Sequence, residues 1–272
     1  MSKKRPEIPV FDHALIETHC HLDYLKQLPI EEILAAAAQR RVQQIVTIAV
    51  APGNLQAVRK IAHTFNQVWC TQGIHPHEAE GYSDAVEAEI VDGLDDDRVV
   101  AVGEIGLDYY YDNADRGVQR TVFSRQLQMA AEHDLPVVIH TREADDDTIA
   151  ILGEIAPSIA RKGVIHSFTS SPELAEFCLE QGFHLGFNGI ITFNRADNVR
   201  AIVERTPLER ILLETDSPFL TPVPYRGKEN APFYLPFIAQ KVADIKNVAV
   251  NELLPVVTES SRRLFKLPEC PG

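Results

Sequence analysis

Two histidines separated by one residue are the first residues of the chain whose spacing indicates chemistry. They are His19 and His21 in the stretch ETHCHLD, which follows the apolar run ALI. In an extended segment side chains alternate between two faces, so the two imidazoles point the same way and Cys20 points the other way. Two neutral imidazoles that converge on one point suit a transition-metal ion, and Cys20 is expected to be a small buried apolar residue. A polar loop explains an isolated pair of histidines equally well.

Further residues with metal-binding side chains stand at the ends of later apolar runs. Glu104 follows VVAVG, His140 lies in PVVIHT, His166 in GVIHSF and Asp216 at the end of ILLETD, while His75 follows VWCTQGI. Each of these histidines, taken alone, is explained as a polar residue at a loop. Their joint occurrence at successive run ends is the reason to expect a shared site.

Six of these residues form the predicted ligand set: His19, His21, Glu104, His140, His166 and Asp216. Four imidazoles and two carboxylates are too many for one four-coordinate ion, so two ions that share a bridging carboxylate account for them better. Nitrogen and oxygen donors without sulfur fit Zn, Mn or Fe, and Mg is possible where carboxylate and water dominate. Closed structural zinc sites usually contain cysteine, so the cluster is expected to be catalytic.

Short apolar runs and longer amphipathic stretches alternate along the whole chain. The runs that read as strands are 14–19, 44–50, 68–74, 99–105, 136–141, 163–168, 183–189 and 211–216. Helical patterns cover 30–41, 53–65, 84–94, 118–134, 146–155, 171–182, about 233–246 and 251–265. Near-continuous apolar strands that alternate with helices indicate a parallel sheet covered on both faces, and eight repeats predict an α/β protein with a closed (β/α)8 TIM barrel. A doubly wound open sheet is the structural alternative.

The barrel prediction also gives the expected position of the metal site and the expected number of domains. Reacting groups of such barrels come from the carboxyl ends of different strands, which is where the six residues stand. One helix is predicted to begin at Ser171, before Pro172, and to end at Gly182. A chain of 272 residues is within the range of one barrel, so we expect a single domain over 1–272.

Composition excludes some classes of protein. Lys and Arg number 26 against 39 Asp and Glu, a net charge of −13, which argues against a broad electrostatic grip on nucleic acid. Bound divalent cations can reverse that sign locally.

Four scattered cysteines without a C-x-x-C pair indicate reduced thiols, and neither a leader nor a long apolar stretch is present. We therefore expect a cytoplasmic protein without membrane insertion. No protein partner is predicted.

The ordered set of stretches resembles the TatD family of metal-dependent deoxyribonucleases, a branch of the amidohydrolase-like barrels. It comprises ETHCHLD, GIHPHEA, GEIGLDYYYD, PVVIHTRE, HSFTSS and ETDSPFLTPVPYRGKENAP, and runs from about residue 14 to 265. The resemblance implies two divalent metal ions (Zn, Mg or Mn) and DNA as the substrate. It also implies that His19 and His21 hold the first ion and Glu104 bridges both. His140 and His166 would complete the second site.

The same resemblance assigns Asp216 to metal binding and to the proton of the attacking water, so Asp216 and Glu104 are the expected catalytic residues. Around the rim we expect substrate contacts from His75, Tyr109, Arg142, Arg226 and Lys228. His75 can stabilise a leaving oxygen, the three cations can bind phosphates, and one of the tyrosines at 109–111 can stack on a base.

The chain departs from the family pattern at three places. Glu17 stands where Asp is more common, "TESSRRLF" lacks an Asn before RLF, and Asn194 and Arg195 follow "TF" where relatives tend to carry Lys. Glu17 and the serines lie outside the ligand set, so the chemistry is expected to be kept. Substrate contacts near residues 194 and 195 are the ones that the departures put in question.

The leading hypothesis is therefore a deoxyribonuclease that cleaves phosphodiester bonds of single strands or ends through a metal-activated water. The alternative is a metal-dependent hydrolase of small amides, lactones or phosphoesters, since related barrels do this chemistry with similar ligands. Many of those carry a modified lysine where this chain has Glu104, which favours the nuclease. A barrel that binds metal or nucleic acid without catalysis is a third possibility, against which the complete ligand set argues.

Overall fold

A computed structural model describes residues 5–270 of the chain, and the basic start at residues 1–4 lies outside that range. The strands are β1 Leu15–Cys20, β2 Val42–Thr47, β3 Val68–Gln72, β4 Val99–Asp108, β5 Val137–Arg142, β6 Gly163–Ile165, β7 His184–Phe187 and β8 Ile211–Leu213. The helices are α1 Ile30–Ala38, α2 Leu55–Thr64, α3 Asp84–Leu94, α4 Arg116–Glu132, α5 Asp145–Ile155, α6 Pro172–Glu180, α7 Asp197–Arg205, α8 Leu235–Lys246 and α9 Val250–Phe265.

The eight strands form one parallel sheet in sequential order, and every residue of β1, β3 and β4 is buried. Near-complete burial is the property of a parallel sheet that helices cover. Just beyond β8, the sheet closes on itself through two backbone hydrogen bonds: Asp216 N donates to His19 O at 2.9 Å, and His21 N donates to Ser217 O at 2.8 Å. The fold is therefore the predicted (β/α)8 barrel, and the open-sheet alternative is wrong.

Helix boundaries follow local capping chemistry. The Ser171 side chain accepts a hydrogen bond from Leu174 N at 3.2 Å, and Pro172 occupies the first turn of α6. Gly182, with a φ of 88°, adopts the left-handed conformation that ends this helix. Both boundaries were predicted and are confirmed.

One helix was absent from the prediction. α7 is short and mostly polar, and only Val199, Ile202 and Val203 of its nine residues are buried. These three positions are spaced as one narrow apolar stripe, which packs the helix against the barrel. Their i, i+3, i+4 spacing is typical of an amphipathic helix, so the signal for α7 was present in the sequence and was missed.

The main core lies between the strands and the helices. Cys20 belongs to it and is fully buried, as predicted from its orientation opposite the two histidines. Cys70 and Cys178 are also buried, and all four cysteines are free thiols. No helix within residues 5–270 combines the length and apolar character that crossing a bilayer requires.

Candidate active site

The carboxyl ends of the strands bring the six predicted ligands together. His19 lies in β1, Glu104 in β4 and His140 in β5. His21, His166 and Asp216 follow β1, β6 and β8 within a few residues. Parallel strands of a barrel all end at one rim, so residues far apart in the chain become neighbours there.

Glu104 lies at the centre of this cluster. Its Oε1 atom is 2.8 Å from His166 Nε2, 3.2 Å from His140 Nδ1 and 3.4 Å from His75 Nε2. Its Oε2 atom is 3.3 Å from His19 Nε2. One carboxylate thus faces imidazoles from both halves of the predicted ligand set, the position that a bridging ligand needs.

Asp216 lies on the His19 and His21 side of the cluster. Its Oδ1 atom is 3.5 Å from His21 Nε2 and 3.8 Å from His19 Nε2. The backbone of Asp216 has a φ of 56°, a left-handed conformation that costs energy for a residue with a side chain. Its hydrogen bond to His19 O helps to hold this conformation, so the carboxylate is fixed against the two imidazoles.

Several buried nitrogens of the cluster have no hydrogen-bond partner within the described part of the chain. They are both ring nitrogens of His19, Nδ1 of His21 and Nδ1 of His166. Buried polar atoms are normally paired, so the unpaired Nε2 of His19, which lies 3.3 Å from Glu104 Oε2, indicates a ligand of a cation. Donor atoms of His19, His21 and Glu104 lie within 4.8 Å of one another, as do those of His75, Glu104 and His140. The predicted ligands in these two groups, His19, His21, Glu104 and His140, fit divalent metal ions.

Burial and neighbouring charges set the protonation states of the cluster. Burial alone raises the pKa of Glu104, but the charges of His166, His75 and His19 outweigh it and hold that pKa well below its usual range. Burial lowers the pKa of His75 to about 4 and, together with the charge of His166, lowers that of His19. At neutral pH Glu104 is therefore a carboxylate, the form that binds a metal ion.

His75 was predicted as a substrate contact, and the structure places it against Glu104 and His140. Its Nδ1 atom accepts a hydrogen bond from the backbone N–H of His77 at 3.1 Å. A neutral imidazole that accepts at Nδ1 carries its hydrogen on Nε2, so the Nε2 atom facing the cluster is a donor. This tautomer suits an oxygen of the substrate better than it suits a metal ion.

Asp108, at the end of β4, was not predicted. Its Oδ2 atom accepts hydrogen bonds from His140 Nε2 at 2.9 Å and from His77 Nε2 at 3.0 Å. This contact leaves the Nδ1 lone pair of His140 directed at the cluster, the arrangement by which carboxylates orient metal-binding histidines. The predicted strand stopped at residue 105, whereas β4 continues to Asp108. The alternation of an unbroken strand from Glu104 would have placed Asp108 on the same face.

Glu214 is a second carboxylate that sequence reasoning missed. Its Oε1 atom is 3.6 Å from His166 Nδ1 and accepts a hydrogen bond from Ser167 N at 2.6 Å. A Cβ atom at Gly186 would lie 2.5 Å from Glu214 Oε2, so glycine there makes the room for this side chain. Glu214 stands two positions before Asp216 in the quoted ETD stretch, and that spacing was the available signal.

Glu17, at which the chain departs from the family pattern, links the first strand of the barrel to the segment that follows the last strand. Its carboxyl group accepts hydrogen bonds from Thr215 N at 2.9 Å and from His19 N at 3.1 Å. The side chain is fully buried, and this burial raises its pKa to about 8. Glu17 thus supports the backbone beside His19 and Asp216 from outside the ligand set.

The cluster forms the floor of a cavity of about 700 Å³ at the barrel mouth, called here the mouth cavity. Tyr111 and Arg142 line it, and the Arg142 guanidinium lies over the rings of Tyr110 at 4.2 Å and Tyr111 at 4.9 Å. Tyr109, the predicted contact, faces elsewhere: its hydroxyl donates to Asp147. Tyr111 is therefore the tyrosine of this segment that borders the mouth cavity.

The other two predicted cations lie outside the mouth cavity. Arg226 lines an adjoining cleft, where its guanidinium lies 3.9 Å above the ring of Phe193. Lys228 lines a separate cleft with Arg5 and Tyr225. The structure thus brings Arg142 to the cavity, places Arg226 next to it and separates Lys228 from it.

Comparison with known proteins gives a consistent match over nearly the whole chain. A family model described as "TatD related DNase" matches residues 16–266. The metal-dependent hydrolase YcfH of Escherichia coli is 38% identical over 258 residues, which cover 93% of this chain and 96% of that protein. The metal-dependent hydrolase YabD of Bacillus subtilis is 34% identical over 254 residues, covering 93% and 99%. Both relatives are described as uncharacterized.

Solved structures agree with this match. The crystal structure of YjjV, a TatD homolog from Escherichia coli, has a TM-score of 0.87 and 30% sequence identity, covering 93% of this chain and 98% of that one. An organophosphorus hydrolase mutant with 13% identity and a TM-score of 0.65 shares the fold alone.

Proposed function

Since the chain belongs to the TatD-related DNase family and is a metal-dependent hydrolase, we propose that it cleaves phosphodiester bonds of DNA at single strands or ends. The observation that carries this proposal is the position of Glu104 between His19 on one side and His140 and His166 on the other. A shared carboxylate between two groups of imidazoles supports two divalent ions, Zn, Mg or Mn. Such ions, when bound, lower the pKa of water and neutralise charge on phosphoryl oxygens.

Residues of the chain would accept the proton of water, donate hydrogen bonds to the reacting oxygens and bind the substrate phosphate. Asp216 accepts the proton of the attacking water, because its carboxylate borders the mouth cavity and the neighbouring His21, His19 and His166 keep its pKa below the usual value despite burial. His75 donates a hydrogen bond from Nε2–H, without giving up the proton, to the leaving oxygen or to a phosphoryl oxygen, as its tautomer allows. Arg142 lies at the rim, where a guanidinium can bind a phosphate of the substrate.

A DNA end or single strand suits this site better than a long duplex. The reacting groups lie at the bottom of a cavity rather than on an exposed face, and the net charge of −13 gives no general attraction for a polyanion. A flexible strand can insert one phosphate into the cavity. Tyr111 at the wall offers a ring on which a base can stack.

The test is hydrolysis of a labelled single-stranded oligonucleotide with Mg²⁺ or Mn²⁺, in the presence and absence of chelator. We expect cleavage that chelator abolishes and that Asp216→Asn lowers by about a thousandfold, the loss of a general base. Asp12→Asn, an exposed residue before β1, is the matched control and should cleave like the parent. Equal cleavage by Asp216→Asn would refute the assignment.

The volume of the mouth cavity favours one alternative. A space of about 700 Å³ is within the usual range for small-molecule sites, so a small amide, lactone or phosphoester also fits. A panel of such substrates distinguishes the two functions. Turnover far above that of DNA would make the small-molecule hydrolase the better assignment.

A further inference from the structure

The mouth cavity adjoins two clefts of opposite charge. Thr169 lines all three spaces, so it lies where they meet. The acidic cleft is lined by Arg142 and by four carboxylates, those of Glu143, Asp145, Asp146 and Asp147. The basic cleft has a volume of about 540 Å³, and Arg195 and Arg226 line it with no acidic residue among its described lining. The surface around the proposed site is therefore electrostatically asymmetric.

The two arginines of the basic cleft are available to a ligand. Within residues 5–270, neither the Arg195 nor the Arg226 guanidinium forms an ion pair or a hydrogen bond. Other arginines near the rim are already paired: Arg116 Nε lies 2.9 Å from Asp112, and Arg120 Nη1 lies 3.1 Å from Asp147. Binding an anion at the basic cleft breaks no existing ion pair.

Arg226 is also held in place. Its guanidinium lies 3.9 Å above the ring of Phe193, a cation–π contact that orients the plane and leaves the N–H edge free. Ile190 lines both the basic cleft and the mouth cavity, so a chain that leaves the cavity over Ile190 reaches this edge. The geometry thus places an oriented cation on one exit from the mouth cavity.

We propose that the basic cleft binds the phosphate next to the scissile phosphodiester of a single-stranded substrate, through Arg195 and Arg226. This inference rests on the proposed function and adds to it the direction in which the DNA strand leaves the mouth cavity. Guanidinium groups bind phosphate oxygens in pairs of hydrogen bonds, and the carboxylates of the acidic cleft repel a polyanion. The strand therefore leaves the mouth cavity past Arg226 and not past Asp146.

The test compares two substrates on the metal-loaded enzyme. Bis(p-nitrophenyl) phosphate has one phosphate and no neighbour to bind in the basic cleft, whereas a single-stranded oligonucleotide has several. The double variant Arg195→Ala/Arg226→Ala should raise the KM for the oligonucleotide about tenfold, because it removes charge-assisted hydrogen bonds, and leave hydrolysis of the small diester unchanged. The salt dependence of log KM should become shallower by about 0.7 for each phosphate that the variant no longer binds.

A binding measurement with chelator present removes catalysis from the comparison. Fluorescence anisotropy of a labelled oligonucleotide should show weaker binding to the double variant and partial recovery in Arg195→Lys/Arg226→Lys. Arg205→Ala/Arg263→Ala, two exposed arginines outside both clefts, changes the net charge equally and should bind and cleave like the parent.

The outcomes separate the two proposals. If the parent hydrolyses the small diester and the oligonucleotide, but the double variant has the parental KM and salt dependence, the basic cleft is not a phosphate site. If both arginine pairs weaken binding equally, the effect is net charge and the inference is wrong. If the parent hydrolyses neither substrate with any divalent metal, the proposed function fails and the inference with it.

Discussion

The Nε2 atom of His166 lies 2.8 Å from the Oε1 atom of Glu104, and the same oxygen is within 3.4 Å of His140 and His75. A single carboxylate oxygen thus faces imidazoles from three different segments of the barrel. The Nε2 hydrogen of His75 and the Nδ1 lone pair of His140 both face it, so this oxygen lies between a donor and a group that is free to bind a cation. Replacement of Glu104 is therefore the most direct test of the proposed metal site.

Replacing Glu104 with Gln is expected to abolish metal binding at both halves of the cluster. The amide keeps the size of the side chain but removes the charge, and we expect hydrolysis to fall by at least about a hundredfold. Metal content by mass spectrometry and turnover of a small phosphodiester are the measurements. Glu154→Gln, an exposed change on α5, should match the parent. Parental metal content in Glu104→Gln would show that the carboxylate is not a ligand.

Asp108→Asn should weaken metal binding without removing it. Asp108 orients His140 from behind, and removal of such a carboxylate typically lowers metal affinity about tenfold to a hundredfold. At saturating metal the rate should recover, because every ligand is still present. Metal titrations followed by activity measure this, with Asp112→Asn, which pairs with Arg116 at the surface, as the control. A rate that stays low at every metal concentration would give Asp108 a direct part in the reaction.

Divalent metal should stabilise the folded protein. A ligand that binds only the folded state at a hundred times its Kd adds about 2.7 kcal/mol, or several degrees in Tm for a protein of this size. We expect Zn²⁺ or Mn²⁺ to raise the Tm of the parent and not that of His19→Ala/His21→Ala. His13→Ala/His133→Ala removes two imidazoles away from the cluster and should respond like the parent. A metal response that both double variants keep would place the binding elsewhere.

His184 should make stability fall in acid. This imidazole is 9% exposed at the start of β7, and burial lowers its pKa to about 4, with the Arg210 charge adding to the effect. The unfolded chain binds the proton at higher pH than the folded chain, so the contribution is present above about pH 6.5 and is lost as pH falls toward 4. The full loss is about 3 kcal/mol by linkage, an order-of-magnitude figure.

Urea unfolding of the parent and His184→Asn at about pH 7 and about pH 5 measures this contribution. The asparagine can still donate toward Gly163 O but does not titrate, so its free energy of unfolding should depend less on pH. His13→Asn, at an exposed position, should keep the parental dependence. Identical pH dependence in all three proteins would mean that acid acts through other groups.

The barrel and the meeting of the six predicted metal ligands could be foreseen because both follow from periodic patterns. Eight buried strands in parallel place every strand end at one rim, so a histidine at one end and an aspartate at another must be neighbours. The helix α7 has an apolar stripe of the same kind, at Val199, Ile202 and Val203, and was missed although this signal was present.

Two residues that support the predicted ligands were missed although the sequence carried a signal for each. Asp108 stands four positions after Glu104 in β4, and Glu214 stands two positions before Asp216. Their contacts with His140 and His166 become visible only in three dimensions. Loop residues were the least predictable, since strand alternation stops where the strand ends. Tyr109 accordingly turns toward Asp147, and Lys228 lies in a different cleft.

The hydrogen bond from Asp216 N to His19 O has a consequence for synthesis of the protein. The neighbouring contact between Glu17 and Thr215 spans 198 positions, so the first and last strands meet only when almost the whole chain exists. On the ribosome, His19 and His21 emerge long before Asp216 and cannot assemble the complete pocket by themselves. Assembly of the proposed cation site is thus coupled to synthesis of the eighth strand, and a truncated product that ends before this strand would lack the Asp216 side of the site.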